Sequence, residues 1–256
     1  MIKRVAFIFV LFFAFQPAKT QNALDIIEKS NAKVKFDAME MIVMLRIYDN
    51  KGNQRTRTVS TATKEFNGIN KTLIKFISPA DVKGTSMLIF DYKEKNDDMW
   101  IYMPAIGKTR RIVCSEKGKS FMGSEFTNAD MSSPNISDFA YKLIGSENYQ
   151  GVLCWKIEAL CKDENVQDEN GFYRKISWIS QRNYLAHKIE FYDFDNELFK
   201  IQSIGDYRLQ SNGKYFAFSM TAENLQNGRK SVMQINKFLI GSELTESVFS
   251  PIMLEK

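Results

Sequence analysis

Between Ala38 and Asn50 the chain reads AMEMIVMLRIYDN, with Met39, Met41, Val43, Leu45 and Ile47 on alternate positions. A period of two puts these side chains on one face of an extended strand and predicts that this face is buried. Short apolar blocks recur downstream: TLIKFI, SMLIFDY, MWIYM, CWKIEAL, YRKISWI, KIEFYDF, FKIQSI, YFAFSM and SVMQINKFLI. Asn67-Gly68, Asn170-Gly171, Asn212-Gly213 and Asn227-Gly228 punctuate them. Such dipeptides accept the positive φ that tight hairpins need. DNKGN at 49–53 and DFDNE at 193–197 are looser turns. The pattern predicts a mainly β protein with a few helices, its single antiparallel sheet a meander of about 11 strands. Helical stretches long enough to link parallel strands are missing, which excludes a parallel α/β sheet.

Two segments read as helices. Asn22–Lys35 carries Leu24, Ile27, Ala32 and Val34 among charges, and PNISDFAYKL places Phe139 and Leu143 on one helical face behind Pro134. A sheet of this many strands twists and curls, which gives it a concave side. Polar sets recur on one strand face (Lys71 and Lys75, Lys156 and Glu158, Arg174, Lys188 and Glu190). Apolar sets occupy the other, such as Ile74 and Phe76, or Leu88, Phe90 and Tyr92. An apolar face on a broad sheet requires a cover.

One stretch fits neither period. In KSFMGSEFTNADM, Phe121, Met122, Phe126 and Met131 are large and apolar, but Gly123, Ser124, Thr127 and Asn128 interrupt them. Residues of this kind on a loop need a surface to lie on, and the concave side of the sheet is expected to supply it. Two readings stay open: a movable lid over a cavity, or a plug packed permanently into a core.

Composition adds to this picture. The 256 residues are 44% apolar, enough for a sizeable core, and include 20 Phe. Lys3 and Arg4 precede an apolar run from Val5 to Phe15, with small Ala18 and Thr20 beyond it. The run is too short to span a bilayer and fits the apolar region of a signal peptide. Residues 1–20 are therefore expected to be a cleaved leader, and 21–256 one exported domain. A lipid-anchored protein would carry a cysteine just after the run; the first is Cys114, so a released chain is expected. Cleavage removes Lys3, Arg4 and Lys19 and no acidic residue, so a formal charge of +5 falls to +2. A near-neutral exported chain does not read as a nucleic-acid binder. Cys154 and Cys161 lie seven apart on one strand, beyond disulfide reach, and buried free thiols are expected.

Catalytic chemistry finds little support. His187 is the one histidine, no G-x-S-x-G occurs, and the three cysteines do not form a metal motif. No enzyme activity, cofactor or metal is expected.

Three blocks carry a family resemblance. They are FISPADVKGTSMLIFDYK (76–93), DDMWIYMPAIGKTRRI (97–112) and SFMGSEFTNADM (120–131). Their order and spacing resemble the outer-membrane lipoprotein-sorting protein family, which is LolA-like. Pro79, Asp81, Lys83-Gly84-Thr85, Trp100, Tyr102, Pro104, Arg110-Arg111, Phe121 to Ser124, Phe126, Thr127 and Asp130 carry the match. Glu125 stands where the family often has Asp, and no residue is carried over for the arginine that latches the lid in LolA. The resemblance implies an unclosed β-barrel whose concave side is covered by helices and a lid loop. It implies a cavity that takes acyl chains of lipids or lipoproteins in the periplasm, a monomeric carrier, and work beside an inner-membrane transporter of the resistance-nodulation-division type. The alternative is a periplasmic regulator or assembly factor that uses the same half-barrel to hold a protein partner.

On this reading the cavity and lid residues are Met41, Val43, Leu45, Ile74, Phe76, Leu88, Phe90, Trp100, Tyr102, Phe121, Met122, Phe126 and Phe139. The flexible thioethers of Met39, Met41, Met44, Met87, Met99, Met103 and Met122 suit a wall that adapts to its ligand, or simply fill a core. Trp100 and Tyr102 share a face near the expected mouth or beneath the next turn. Arg110 and Arg111 are candidates for head-group or membrane contact, or are solvated and ion-paired.

Overall fold

The structure, a computed structural model, describes residues 22–93 and 95–255. The leader expected at 1–20, and the first residue of the expected mature chain, lie outside the described residues. A helix, α1 (Ala23–Val34), opens the chain, its first turn capped by the Asn22 side chain, which accepts the Leu24 N–H. Six strands follow: β1 (Ala38–Tyr48), β2 (Gln54–Phe66), β3 (Ile69–Ser78), β4 (Ser86–Asp91), β5 (Asp98–Met103) and β6 (Lys108–Ile112). After a one-turn helix, α2 (Cys114–Lys117), the chain reaches β7 (Phe139–Tyr149) and β8 (Val152–Cys161). A second short helix, α3 (Glu164–Asn170), leads to β9 (Arg174–Ser180), β10 (Ala186–Tyr192), β11 (Leu198–Leu209), β12 (Tyr215–Asn224) and β13 (Lys230–Ile240).

The strands form one antiparallel sheet in the order β6-β5-β4-β3-β2-β1-β13-β12-β11-β10-β9-β8-β7. It curls without closing. About 11 strands are expected and the sheet has 13: ten show as apolar blocks in the sequence and three do not. β2 is Thr-rich and β6 is KTRRI, so neither shows an apolar run. β7 is the third: the helix expected at PNISDFAYKL is a 3-10 turn at Ile136–Asp138 followed by this strand. Pairing along β8 from Phe139↔Cys161 to Tyr149↔Val152 outweighs local helix preference there. Asn67-Gly68 forms the tight turn expected of it, with φ of +51° and +80°. Asn170-Gly171 does not: Gly171, at φ +74°, ends α3.

The topology fixes the role of the loop. The sheet is not the single meander expected: β1 pairs with β13, which leaves β6 and β7 as its two free edges, joined by the 113–138 connection. Burial of Phe121 and Phe126 against Val43, Leu45, Ile74, Phe76 and Met87 places it on the concave face. α1 fills the rest of that face, packing Ala23 and Ile26 on Ile157 and Ile179.

The convex face is sealed in two ways. Over β3–β5, the C-terminal turns Glu246–Val248 and Pro251–Leu254 bury Phe249 and Leu254 on Leu73 and Leu88. Over β8–β10, long basic side chains lie across an aromatic floor, with Lys156 and Lys188 Nζ at 4.8 and 4.4 Å from the Trp178 ring.

The open seam between the free edges is stitched at α2 and α3, where backbones touch. A Cβ at Gly118 would stand 2.6 Å from Gly171 N and 2.7 Å from its Cα. Neither backbone atom can rotate away. Gly118→Ala is expected to force the helices apart and cost about 1–3 kcal/mol, read as a lower thermal midpoint. An unchanged midpoint would mean the seam is not held there.

Candidate functional site

The crossing segment is a miniature hairpin. Phe121 N–H donates to Phe126 O at 2.8 Å and Asn128 N–H to Lys119 O at 2.9 Å, around a turn in which Met122 and Gly123 both have positive φ. That turn explains why the apolar residues match neither period. Phe121 and Phe126 drop into the trough at 2% and 3% exposure, and the Phe121 ring centroid lies 5.7 Å from that of Phe76.

Polar contacts hold the hairpin to the sheet on three sides. Arg57 donates to Met122 O, and Arg229 donates to Gly123 O at 2.6 Å and pairs with Glu125 at 3.0 Å. The Glu125 N–H donates to Ser231 Oγ at 2.9 Å. Beyond the turn, Asp130 accepts from Thr127 N–H at 2.8 Å and Gln202 Nε2 at 3.1 Å, with Lys200 Nζ 3.6 Å away. Burial alone would raise the Asp130 carboxyl; Lys200 and these donors hold it below the ordinary carboxylate value.

Beneath the segment lies a cavity of about 270 Å³. Its walls come from β1 (Met39, Met41, Val43, Leu45), β2 (Val59, Thr61, Thr63), β3 (Asn70, Thr72, Ile74), β12 (Phe216, Met220) and β13 (Met233). Phe121, Asp130, Met131, Ser132 and Ser133 line it from the crossing segment. Thr61 pairs with Ile74, and Thr63 with Thr72. The polar residues therefore gather toward the β2–β3 turn, and the aliphatic ones lie away from it.

Among the residues expected at the site, Met41, Val43, Leu45, Ile74 and Phe121 line this cavity. Phe76 and Phe126 are buried in the core around it, and Met122 packs at its margin. Leu88, Phe90, Trp100 and Tyr102 do not face it. They point to the convex side, under Phe249 and Leu254, while Met87, Ile89, Met99 and Ile101 turn inward. The sequence could not decide this, because both faces of β4 and β5 are apolar. Phe139 lies in a separate core, stacked on Phe172 at 6.1 Å. Arg110 pairs with Glu116 at 2.7 Å and Arg111 with Asp98, so each already has a carboxylate partner.

Sequence reasoning missed the β2 row of Val59, Thr61 and Thr63, although it alternates, because threonine did not count as apolar. It also missed β12, β13 and the Asp130–Ser133 stretch as cavity walls. Cys154 and Cys161 are buried free thiols, Cys161 pushed up to about 12 by burial; Cys114, expected to be buried, is exposed. His187 packs edge-on to Tyr207 at 5.8 Å, and burial lowers its pKa.

Similar solved structures share this architecture. A protein described as an outer membrane lipoprotein-sorting protein domain, from Vibrio parahaemolyticus, matches with TM-score 0.85 at 25% identity, covering 91% of this chain and 98% of that one. A DUF1329 family protein from Desulfovibrio piger matches with TM-score 0.84 at 26% identity, covering 91% and 97%. A LolA superfamily protein from Nitrosomonas europaea, at 19% identity, shares the fold with TM-score 0.72 over 91% and 100% of the two chains. The chain shares with these structures the fold of an open, curled half-barrel. A family model described as "-like: Uncharacterized protein" matches residues 68–256, well over half of the chain, and the chain belongs to that family. No curated protein matches it.

Proposed function

We propose that the protein is an exported periplasmic carrier that holds acyl chains in the trough and passes them toward the outer membrane. On this reading it works as a monomer beside an inner-membrane transporter and catalyses no reaction. The supporting observation is the largely apolar, partly covered cavity between the sheet and the crossing hairpin. Exposing an acyl chain to water costs about 0.8 kcal/mol per methylene, so a carrier needs an enclosed apolar space. It also needs a cover that can part from it, and this hairpin is fastened to the sheet rim by polar contacts rather than by strand pairing with it. The lipoprotein-sorting description of the Vibrio parahaemolyticus protein supports the same reading, as does the leader-like sequence of residues 1–20.

The test is organic extraction of protein purified from its native compartment, followed by mass spectrometry and by titration of the stripped protein with the fluorescent probe N-phenyl-1-naphthylamine. Co-purifying lipid and saturable probe uptake are expected. An extract free of lipid, together with no saturable uptake, would end the carrier reading.

A further inference from the structure

The cavity wall is unequal along its length, and this bears on what kind of lipid it takes. Away from the β2–β3 turn, Leu45, Val59, Phe121 and Met233 offer only apolar side chains. Toward that turn, Thr61, Thr63, Asn70 and Thr72 bring hydroxyl and amide groups into the wall. These groups have hydrogen-bonding capacity left over. Thr63 Oγ1 and Thr72 Oγ1 lie 3.0 Å apart, so whichever hydroxyl donates, the other still holds a proton to give. Asn70 Oδ1 is shut off from solvent and has no hydrogen-bond partner, and a buried acceptor without a donor is a cost that a ligand O–H or N–H removes.

The charge at this end is as informative. None of the described residues lining the cavity is cationic. The one acid, Asp130, is committed to Lys200 and Gln202. Just behind, Asp91 accepts the Ser133 N–H at 3.0 Å; burial and then Asp97 push its carboxyl up. Lys117, the nearby cation, is bound to Asp97 and Glu169. An anionic head group here would lose its water, gain no counter-charge and meet negative neighbours. The volume, about 270 Å³, also lies just below the ~300–1,000 Å³ range of ligand pockets, which suits one chain rather than two.

We infer that the trough selects a single-chain amphiphile with an uncharged hydrogen-bonding head, an alcohol or a primary amide, seated with its head at the Thr61–Asn70–Thr72 end, and discriminates against carboxylates and phosphates of equal chain length. This rests on the carrier reading and narrows it.

The experiment displaces N-phenyl-1-naphthylamine from the stripped mature protein at neutral pH with dodecanol, dodecanamide, dodecanoate and dodecyl phosphate. The alcohol and the amide are expected to displace the probe at concentrations about tenfold below those of the two anions. Asn70→Leu is expected to weaken the alcohol about tenfold relative to the probe, in a variant whose melting midpoint stays near that of the parent. If that variant does not fold, the head-group series on the unaltered protein decides alone. Dodecanoate or dodecyl phosphate binding as tightly as dodecanol overturns the head-group inference and leaves the carrier standing. Failure of the probe and of all four compounds to bind overturns the carrier reading, and this inference with it.

Discussion

Replacing Lys117 by methionine is expected to destabilise the protein by about 3–5 kcal/mol, the range for breaking a buried ion pair by removing one partner. Lys117 Nζ lies 3.4 Å from Asp97 and 3.3 Å from Glu169, and the three side chains are 10%, 4% and 13% exposed. Asp97 belongs to the β4–β5 turn, Lys117 to α2 and Glu169 to α3, and Ser132 of the crossing segment donates to Asp97 at 2.9 Å. One ammonium thus ties both free edges of the sheet and the cover to one another. Methionine keeps the stem and leaves two carboxylates facing each other without a cation. A midpoint lower by about 6–20 °C is expected for a protein of this size. The pH dependence follows from the lysine. Burial would lower its pKa, but Asp97 and Glu169 hold it above the ordinary value. Its stabilisation is therefore complete through neutral pH and is lost only as pH rises through that raised value. The gap between parent and variant should accordingly close in strongly alkaline solution. A variant within about 1 kcal/mol of the parent at neutral pH would mean that the triad is solvated and the seam is held elsewhere.

Phe121→Asp is expected to reduce saturable probe uptake by two orders of magnitude, about 3 kcal/mol of binding free energy. Phe121 both closes the cavity and packs on Phe76, so aspartate there removes hydrocarbon wall and sets a desolvated carboxylate against the ligand. Phe121→Leu keeps the apolar wall and should retain uptake within severalfold. Aspartate at Ile77, 42% exposed and next along the strand from Phe76, should leave uptake unchanged. Equal uptake by Phe121→Asp and the parent, with both folded, would place the ligand somewhere other than this trough.

What the sequence made legible follows from the range over which each signal acts. Alternation from Met39 to Ile47 marked a half-buried strand, and Asn67-Gly68 marked the β2–β3 hairpin. Both depend on backbone geometry within a few residues, and the structure shows both. The turns, the short strands and the missing crossover helices were enough to imply an antiparallel sheet that curls, but not that β1 would pair with β13. The misleading signals were those needing a partner. Phe139 and Leu143 fit a helix face as well as a strand, and only pairing with β8 chose the strand. β2 looked polar in part because Thr61 and Thr63 face a cavity rather than a dry core.

The sequence by itself determined the alternating strands, the antiparallel pairing of strands joined by tight turns and the presence of sticky residues on a loop, because these are set by steric and hydrophobic preferences of neighbouring residues; the pairing of β1 with β13, which makes the strand order differ from a single meander, was left to tertiary structure. Tertiary structure alone decided which face each strand turns inward. Leu88 and Trp100 went outward under Phe249 while Met87 and Met99 went inward, because both faces are apolar and only the arrival of the C-terminal turns on one of them breaks the tie. It also decided that the 113–138 connection covers the trough: pairing of β1 with β13 leaves β6 and β7 as the two edges, and burial of Phe121 and Phe126 draws the chain that joins them onto the concave face.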